Sequence, residues 1–350
     1  MNFYKNKKVL ITGNTGFKGS WLTLTLKNFG SNIVGYSDKK PFKNSVINEN
    51  WLKKNISQYY NKIENFSYLK KVIEKEKPDI VFHLAAQPLV LESYKEPFKT
   101  FQTNIMGTVN LLEAINNVND NIPSIIITTD KVYSNKKNKK HNEDDLLEGI
   151  DPYSSSKVCA ESISKSYSNL GLKIITARAG NIIGGGDWSK DRLIPDIIKS
   201  IKRKENPVIR NPLYTRPWLY VLDVIEGYLM LGKKIYKIKD KKYFNSFNLA
   251  PIYKKPYNVL DLTKKLLKYS NNNEYISHNY KCKKENKFLS INPKKINNLL
   301  NWKANTSFDQ AIAFTAEWYL NKHQPDPTAY SQQHIIKYFH KYNKNIGHYA

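Results

Sequence analysis

Eight residues, Thr12–Gly19 (TGNTGFKG), constrain this chain more than any others. They follow a short apolar run, Lys8–Thr12 (KVLIT), that reads as a strand, and they open a helix candidate from Gly16 to Phe29. Glycine at positions 13, 16 and 19 lets the backbone turn tightly, approach a pyrophosphate and pack the helix on the sheet, while the free amides and dipole of the helix N-terminus favour an anion. A glycine-rich stretch alone says little. Lodged between a first strand and a first helix, it points to dinucleotide binding rather than a plain tight turn, with Gly13, Thr15, Gly16, Phe17 and Gly19 as the cradle.

Further Ile/Val-rich runs recur at Asn32–Tyr36 (NIVGY), Asp79–His83 (DIVFH), Ser124–Thr128 (SIIIT) and Lys173–Ala177 (KIITA). They are nearly continuous in apolarity, as strands covered on both faces must be. Helix candidates at Tyr68–Lys75, Thr100–Asn116 and Ser154–Leu170 lie between or after them. The alternation predicts an α/β fold, a Rossmann-type doubly wound parallel sheet with a smaller α/β substrate-binding domain laid over it. Residues 1–180 make the NAD-binding domain, segments at about 218–250 return to it, 181–320 form mainly the second domain, and 321–350 a C-terminal tail. Such sheets bind ligands at the carboxyl ends of their strands, so the residues just after each strand carry the chemistry.

Composition adds one anomaly, a formal net charge of +26 in 350 residues. A nucleic-acid partner would explain it, but the basic residues are 51 Lys and only 5 Arg, and the lysines are spread along the whole length beside 40 Asn. Phosphate and base readers use arginine forks clustered on one face, so the dispersed charge reads as a compositional drift on a solvated surface. The Lys136–Asp145 run (KKNKKHNEDD) is expected to be a solvated loop. The five arginines, Arg178, Arg192, Arg203, Arg210 and Arg216, all fall within one 39-residue window, where a planar bidentate donor is wanted. No apolar stretch approaches a membrane span and Met1–Asn6 has no signal-peptide core, so the chain reads as cytoplasmic, with no membrane partner. Cys159 and Cys282 have no disulfide or metal spacing, and no metal is expected.

Tyr153–Lys157 (YSSSK) is one of five Tyr-x-x-x-Lys pairs in a chain with 24 Tyr, so the pattern alone carries little. Position distinguishes it: Tyr153 opens a helix after the strand Ser124–Thr128, and one turn places Lys157 on the same face. There an ammonium can lower the phenol from about 10 toward neutrality, and a phenolate so prepared can take a proton from a sugar hydroxyl. Thr129, Asp130 and Lys131 end that same strand. A hydroxyl, a carboxyl and an amine in a row exceed what oxidation of an alcohol requires. Asp38, after the second strand, is placed to take ribose hydroxyls and so to favour NAD, although Lys39 and Lys40 follow it and could tolerate a 2′-phosphate.

Seven segments together resemble the CDP-D-glucose 4,6-dehydratases of the extended short-chain dehydrogenase/reductase superfamily. They are Gly13–Trp21 (GNTGFKGSW), Val81–Pro88 (VFHLAAQP), Thr103–Thr108 (TNIMGT), Thr129–Lys131 (TDK), Asp151–Lys157 (DPYSSSK), Arg178–Asp196 (RAGNIIGGGDWSKDRLIPD) and Arg210–Trp218 (RNPLYTRPW). The dTDP-glucose dehydratases are similar but carry Glu at the third position of the triplet. The resemblance implies tightly held NAD and an internal redox cycle on a nucleotide-diphosphate sugar: Tyr153, with Lys157 and Thr129, deprotonates the 4-hydroxyl as hydride leaves C4. Lys131 then removes the C5 proton or, if it stays charged, steadies the enolate while another group accepts that proton. Asp130 protonates the departing 6-hydroxyl, and hydride returns to C6.

Ala85, Ala86 and Gln87 are implied beside the cofactor. Asn104 is grouped with them in a structural capacity, and His83 packs behind. Asn181, Arg192, Leu193, Arg210 and Arg216 are implied on the nucleotide-sugar side, with Arg178 among the arginines available to a diphosphate. A homodimer or homotetramer built on the Thr100–Asn116 and Ser154–Leu170 helices is also implied. The sequence departs from the family at Asn61 and Lys62, where a Gly-Asp pair usually contacts adenine, and at Asn301, where Asn replaces Gly before Trp302. An epimerase would need neither Asp130 nor Lys131. A basic RNA-binding protein on an idle fold would leave the glycine turn, the triplet and the Tyr/Lys pair unexplained.

Overall fold

A computed structural model describes residues 2–134, 139–270, 274–278, 287–321 and 326–342. Cys282, the start of the Lys136–Asp145 run and parts of the 321–350 tail lie outside the described residues. Seven parallel strands form one sheet: β1 (Lys8–Thr12), β2 (Asn32–Ser37), β3 (Ser57–Tyr60), β4 (Ile80–His83), β5 (Ser124–Ile127), β6 (Lys173–Ala179) and β7 (Tyr243–Leu249). Their spatial order is β7-β6-β5-β4-β1-β2-β3, which reverses direction between β1 and β4. That reversal opens a crevice at the carboxyl ends of those two strands.

Strands β1, β4 and β5 are buried along nearly their whole length, as their continuous apolar runs require. One face of the sheet packs on the helices Phe17–Asn28 and Val221–Tyr236 through Trp21, Leu22, Ile225 and Leu229. The other packs on Phe66–Glu76, Gly107–Val118 and Pro152–Asn169 through Leu69, Ile73, Leu111 and Ile115. The expected helix Thr100–Asn116 is interrupted: α-helix holds at Pro97–Phe101 and Gly107–Val118, with a π-turn over Gln102–Met106 between them. The extra residue of that wider turn buries Asn104.

The smaller α/β part is assembled from short pairings: Ile182–Ile183 with Leu219–Tyr220, Thr215–Arg216 with Tyr257–Asn258, and Val208–Arg210 with Ile276–His278. Helices Leu193–Arg203, Val259–Leu267, Lys294–Leu300, Phe308–Leu320 and Pro327–Tyr342 cover them. Asn301 takes φ 54° at the end of Lys294–Leu300, the left-handed cap for which Asn substitutes for Gly. Among the described residues no helix is long and apolar enough to cross a membrane.

The described end of the Lys136–Asp145 run is not simply solvated. His141 is buried, stacked on Tyr133 at 4.9 Å, and the Glu143 carbonyl accepts from Arg178. Polar side chains enter this interior because the backbone of the run itself answers a buried guanidinium.

Candidate active site

Gly13 leaves β1 with φ 72°, its amide donating to the Tyr36 carbonyl at 2.7 Å. A Cβ at Gly13 would stand 2.7 Å from the Ala85 nitrogen, and one at Gly19 only 2.1 Å from the Gly13 carbonyl oxygen. Backbone meets backbone at both points, so neither position tolerates a side chain. Gly16 caps the helix Phe17–Asn28 without a side chain to answer its first amides, which leaves an anion as their natural partner. The cradle fits a dinucleotide pyrophosphate on these grounds.

The rest of the glycine turn is tied to β2 and β3. Thr15 donates its hydroxyl to the Lys39 carbonyl at 2.9 Å, and the buried Asn14 amide bonds Ser37 and Gln58, each at 2.7 Å. Asp38 follows β2, exposed, with the Lys39 ammonium 3.9 Å away. Asn61 and Lys62 follow β3, where the Lys62 carbonyl accepts from the Tyr36 hydroxyl at 3.0 Å. Phe17 reaches the Gly184 segment, a Cβ on which would lie 3.4 Å from its ring.

After β4 the half-buried Ala85, Ala86 and Gln87 continue past the glycine turn. The Ala85 amide donates to the Thr12 hydroxyl at 3.3 Å. Asn104 accepts from the Gln87 amide at 2.8 Å and donates to the Gln87 carbonyl at 3.1 Å and to Ser156 at 2.8 Å. Its amide is thereby occupied within the protein, joining the β4 loop to the helix Pro152–Asn169. His83, behind them, bonds Thr12 at 2.7 Å and Thr108 at 3.3 Å. Burial, aided by the Lys157 charge, brings its imidazole down to about 3, so it is neutral.

Helix Pro152–Asn169 begins where it does for local reasons. Asp151 and Ser154 form a capping box, and Pro152 occupies a first-turn position that needs no donor. Tyr153 and Lys157 are thereby set one turn apart beside the residues following β5. The Thr129 hydroxyl stands beside the Tyr153 phenol and pulls its pKa down. The Lys157 ammonium donates to the Ile127 carbonyl at 3.1 Å. Asp130 is buried; one oxygen accepts from Thr129 and from Lys131, each at 3.2 Å, and the other, Oδ2, is buried with no hydrogen-bond partner among the described residues. A buried carboxylate oxygen left unanswered is costly and calls for a ligand.

The electrostatics correct one expectation. Burial pushes the Tyr153 phenol up to about 12, outweighing the Thr129 hydroxyl and the Arg192 charge that pull it down. Lys157 is itself brought down to about 8 by burial, against the pull of Glu161. With its ammonium held by Ile127, it does not bring the phenol toward neutrality in the protein alone.

Lys18 has no place in the expectations drawn from sequence, where it is hidden among the glycines of the turn. It projects from the first helical turn, where Trp21 and Leu22, three and four residues on, are both fully buried. Its ammonium reaches the Tyr228 hydroxyl at 3.4 Å.

On the opposite wall, Trp21 donates to the Gly185 carbonyl at 2.9 Å and Tyr319 to the Asp187 carbonyl at 2.6 Å, fixing the GGGD turn. Asp187 then holds Arg192 at 3.2 Å, just ahead of Leu193, the first residue of its helix. Arg210 pairs with Asp191 at 3.8 Å. Arg216 is buried against the Tyr214 ring, 5.4 Å away. Asn181 presents a buried carbonyl oxygen, Oδ1, with no partner among the described residues.

Arg178 is not part of this wall. Its guanidinium lies in the sheet interior, bonding both oxygens of Glu161 at 2.9 Å, so it has no donor to offer a diphosphate. It points inward because it shares the face of β6 used by Thr176, which also donates to Glu161, at 2.6 Å.

The family model described as GDP-mannose 4,6 dehydratase matches residues 10–315. The chain is 35% identical to the CDP-glucose 4,6-dehydratase of Salmonella typhimurium over 331 residues, covering 91% of this chain and 92% of that protein. It is 29% identical to the dTDP-D-glucose 4,6-dehydratase of Dictyostelium discoideum, over 90% of this chain and 82% of the other. Among solved structures, UDP-glucose 4-epimerase with UDP-glucose from Thermotoga maritima superposes with a TM-score of 0.79 at 22% identity, covering 91% of this chain and all of that one. A dTDP-glucose 4,6-dehydratase from Streptomyces venezuelae with NAD and TYD bound gives 0.77 at 19% identity, covering 90% and 97%. At those identities the two structures show a shared fold.

Proposed function

The chain belongs to the GDP-mannose 4,6-dehydratase family, and from that premise we propose that it is a lyase that converts CDP-D-glucose to CDP-4-dehydro-6-deoxy-D-glucose and water. The observation that carries the reading is the Asp130 carboxylate, buried after β5 with one oxygen on Lys131 and the other without a partner among the described residues, close enough to Tyr153 that its charge and the neighbouring Thr129 hydroxyl both act on the phenol. Alcohol oxidation or epimerisation at C4 needs no such acid and base. The cytidine nucleotide is favoured by the lysine in the TDK triplet and by the 35% identity to a CDP-glucose 4,6-dehydratase.

NAD, when bound, takes a hydride from the sugar and later returns it. Gly13, Thr15, Gly16, Phe17, Gly19, Asp38, Ala85, Ala86, Gln87, Tyr153 and Lys157 would hold it, with Asn104 positioning the β4 loop. Tyr153 accepts the proton of the 4-hydroxyl as its phenolate, a form that added positive charge in the occupied site would favour; Lys157 contributes to that charge and Thr129 orients the phenol. Lys131, next to the acidified C5, takes that proton or, as an ammonium, steadies the enolate while another group accepts the proton. Asp130, as the acid, gives a proton to the departing 6-hydroxyl so that water leaves; when hydride returns to C6 the C5 proton is given back to C5, and the 4-hydroxyl proton held by Tyr153 replaces the one Asp130 gave up. Asn181, Arg192, Leu193, Arg210 and Arg216 take the nucleotide diphosphate.

We further propose the division of labour the sequence implies, residues 1–180 with about 218–250 for the dinucleotide and 181–320 for the sugar nucleotide, in a cytoplasmic homodimer or homotetramer.

The test is purified protein with NAD and a panel of CDP-, dTDP-, UDP- and GDP-glucose, following the alkaline absorbance of the 4-keto product. CDP-glucose is expected to turn over fastest. Turnover of another member in its place overturns the base assignment, and a 4-epimer without keto product overturns the dehydratase reading.

A further inference from the structure

Arg192 meets Asp187 through a single nitrogen. Its Nη1 donates to Asp187 Oδ2 at 3.2 Å, while Nε and Nη2 have no partner among the described residues. That leaves open the edge of the guanidinium on which two parallel N–H groups can meet two oxygens of one phosphate. The same edge of Arg178 is closed by Glu161, with both nitrogens at 2.9 Å, and in Arg210 it is half used, Nη2 donating to the Asp191 carbonyl at 3.1 Å. The Arg192 charge also acts on the Tyr153 phenol, so the open edge stands at the cleft.

The Asp187 carboxylate that makes this contact is buried and held from several sides. Its Oδ1 accepts from the Ser189 amide at 3.0 Å, and its carbonyl accepts from the buried Tyr319 hydroxyl at 2.6 Å. Two residues earlier, the Gly185 carbonyl accepts from Trp21 at 2.9 Å, and a Cβ on Gly185 would stand 2.0 Å from the Trp318 ring. Trp318 is itself anchored on the C-terminal helix, donating to Ser331 at 2.9 Å. The turn that carries Asp187 is thus pinned by neighbours that lie behind the cleft.

We propose that Asp187 and Tyr319 are positioning residues for the substrate: together they hold Arg192 with its Nε–Nη2 edge open to a diphosphate, and so set affinity for the nucleotide without touching it. This rests on the reading that Arg192 takes the diphosphate of the nucleotide sugar. An arginine on a free stem gives up rotamer freedom when it grips a ligand, and one already held by a neighbour gives up less. Asp187 supplies that hold at the one nitrogen the bidentate edge does not use. Tyr319 keeps the Asp187 backbone where the contact can form.

The experiment is equilibrium binding of a nucleoside diphosphate, whichever of CDP, dTDP, UDP and GDP wild type holds most tightly, to the full-length protein loaded with NAD. Arg192→Met should weaken binding by roughly 10–100-fold, Asp187→Asn by about tenfold and Tyr319→Phe by about fivefold. The NAD affinity of Tyr319→Phe should match wild type. In the Arg192→Met background the Tyr319→Phe step should disappear, the double variant binding within about twofold of Arg192→Met alone. Asp187→Asn combined with Arg192→Met closes the same cycle if Tyr319→Phe does not fold. A purely structural role would cost the same factor in both backgrounds. That additivity, or wild-type affinity in both Tyr319→Phe and Asp187→Asn, overturns the inference and leaves the assignment of Arg192 intact. Wild-type affinity in Arg192→Met overturns that assignment and this inference with it.

Discussion

Two adjacent threonines at the end of β5 open onto two kinds of buried charge. Thr128 faces the sheet interior and donates to Glu161 at 2.6 Å. Glu161 also accepts from Thr176 and from both sides of the Arg178 guanidinium, whose last donors reach the Tyr133 hydroxyl and the Glu143 carbonyl, each at 2.8 Å. Thr129, one residue on, faces the cleft beside Tyr153 and donates to Asp130, whose other carboxylate oxygen has no partner among the described residues. Both clusters contain a threonine, an acid, a base and a tyrosine. They differ in completeness: the inner one answers every charged atom and is scaffold, whereas the outer one lacks partners that a ligand can supply.

If completeness is the distinction, removing the key group from each cluster should move opposite readouts, and these are the largest effects expected. Tyr153→Phe should lower turnover by roughly 10²–10⁴-fold and leave the urea unfolding midpoint in place. Arg178→Met should destabilise the fold by about 3–5 kcal/mol, because it strands the Glu161 carboxylate in the interior. Urea unfolding and turnover measured on both variants check the crossing. A comparable loss of stability in Tyr153→Phe would erase the distinction.

A third cluster separates hydrogen-bond completeness from charge balance. Asp223 and Glu226, on the helix Val221–Tyr236, meet Tyr338 at 2.5 and 3.3 Å, and Asn305 and Thr306 bond the pair as well. Among the described residues every donor to the pair is neutral and none is a cation. Burial, then the Asp223 charge, pushes Glu226 up from 4.5 to about 8. A carboxyl raised in the folded state favours folding when protonated. Its contribution is fully present below about 4.5 and is lost as pH rises to about 8. Stability should therefore decline from pH 6 to pH 8, and Glu226→Gln should flatten that decline and raise stability at pH 8 by about 1–2 kcal/mol. Thermal unfolding of both proteins across pH 5–9 measures it; an unchanged slope in the variant would remove Glu226 from the pH response.

The contrast also accounts for what the sequence disclosed. Buried parallel strands announce themselves as unbroken Ile and Val, so β1, β4, β5 and β6 were legible, and Gly13 and Gly19 are dictated by backbone contacts that admit no Cβ. β3 (SQYY) escaped because it is an edge strand, half-polar and only partly buried. β7 (YFNSFNL) was placed only as a segment returning to the sheet, because its polar residues are buried partners of the inner network: Ser246 lies 3.2 Å from Arg178, and Asn248 accepts from Tyr133 at 2.7 Å. The same network misplaced Arg178, since an arginine beside a ligand-binding segment looks like a ligand's partner until its face of the strand is known. Lys18 was the converse case, a lysine reaching the Tyr228 hydroxyl from a turn whose glycines draw all the attention.

The smallest effects bear most directly on the two threonines themselves. Thr128→Val removes one hydrogen bond from a buried carboxylate that keeps those from Thr176, Ser246 and Arg178, so stability should fall by about 1–2 kcal/mol with turnover per folded molecule unchanged. Thr129→Val removes a hydroxyl that stands beside the Tyr153 phenol and helps to hold it down against burial, and that also donates to Asp130. Stability should fall by about 1 kcal/mol for the bond to Asp130, while turnover falls by roughly tenfold, the equivalent of one lost hydrogen bond to a charged oxygen. That loss should shrink as pH rises, because a phenol whose ionisation has become harder is recovered at higher pH. Urea unfolding and pH–rate profiles of the two variants make the comparison. A pH-independent loss in Thr129→Val would assign the threonine to orienting the sugar instead of the phenol, and a turnover loss in Thr128→Val would mean that the inner network reaches the chemistry after all.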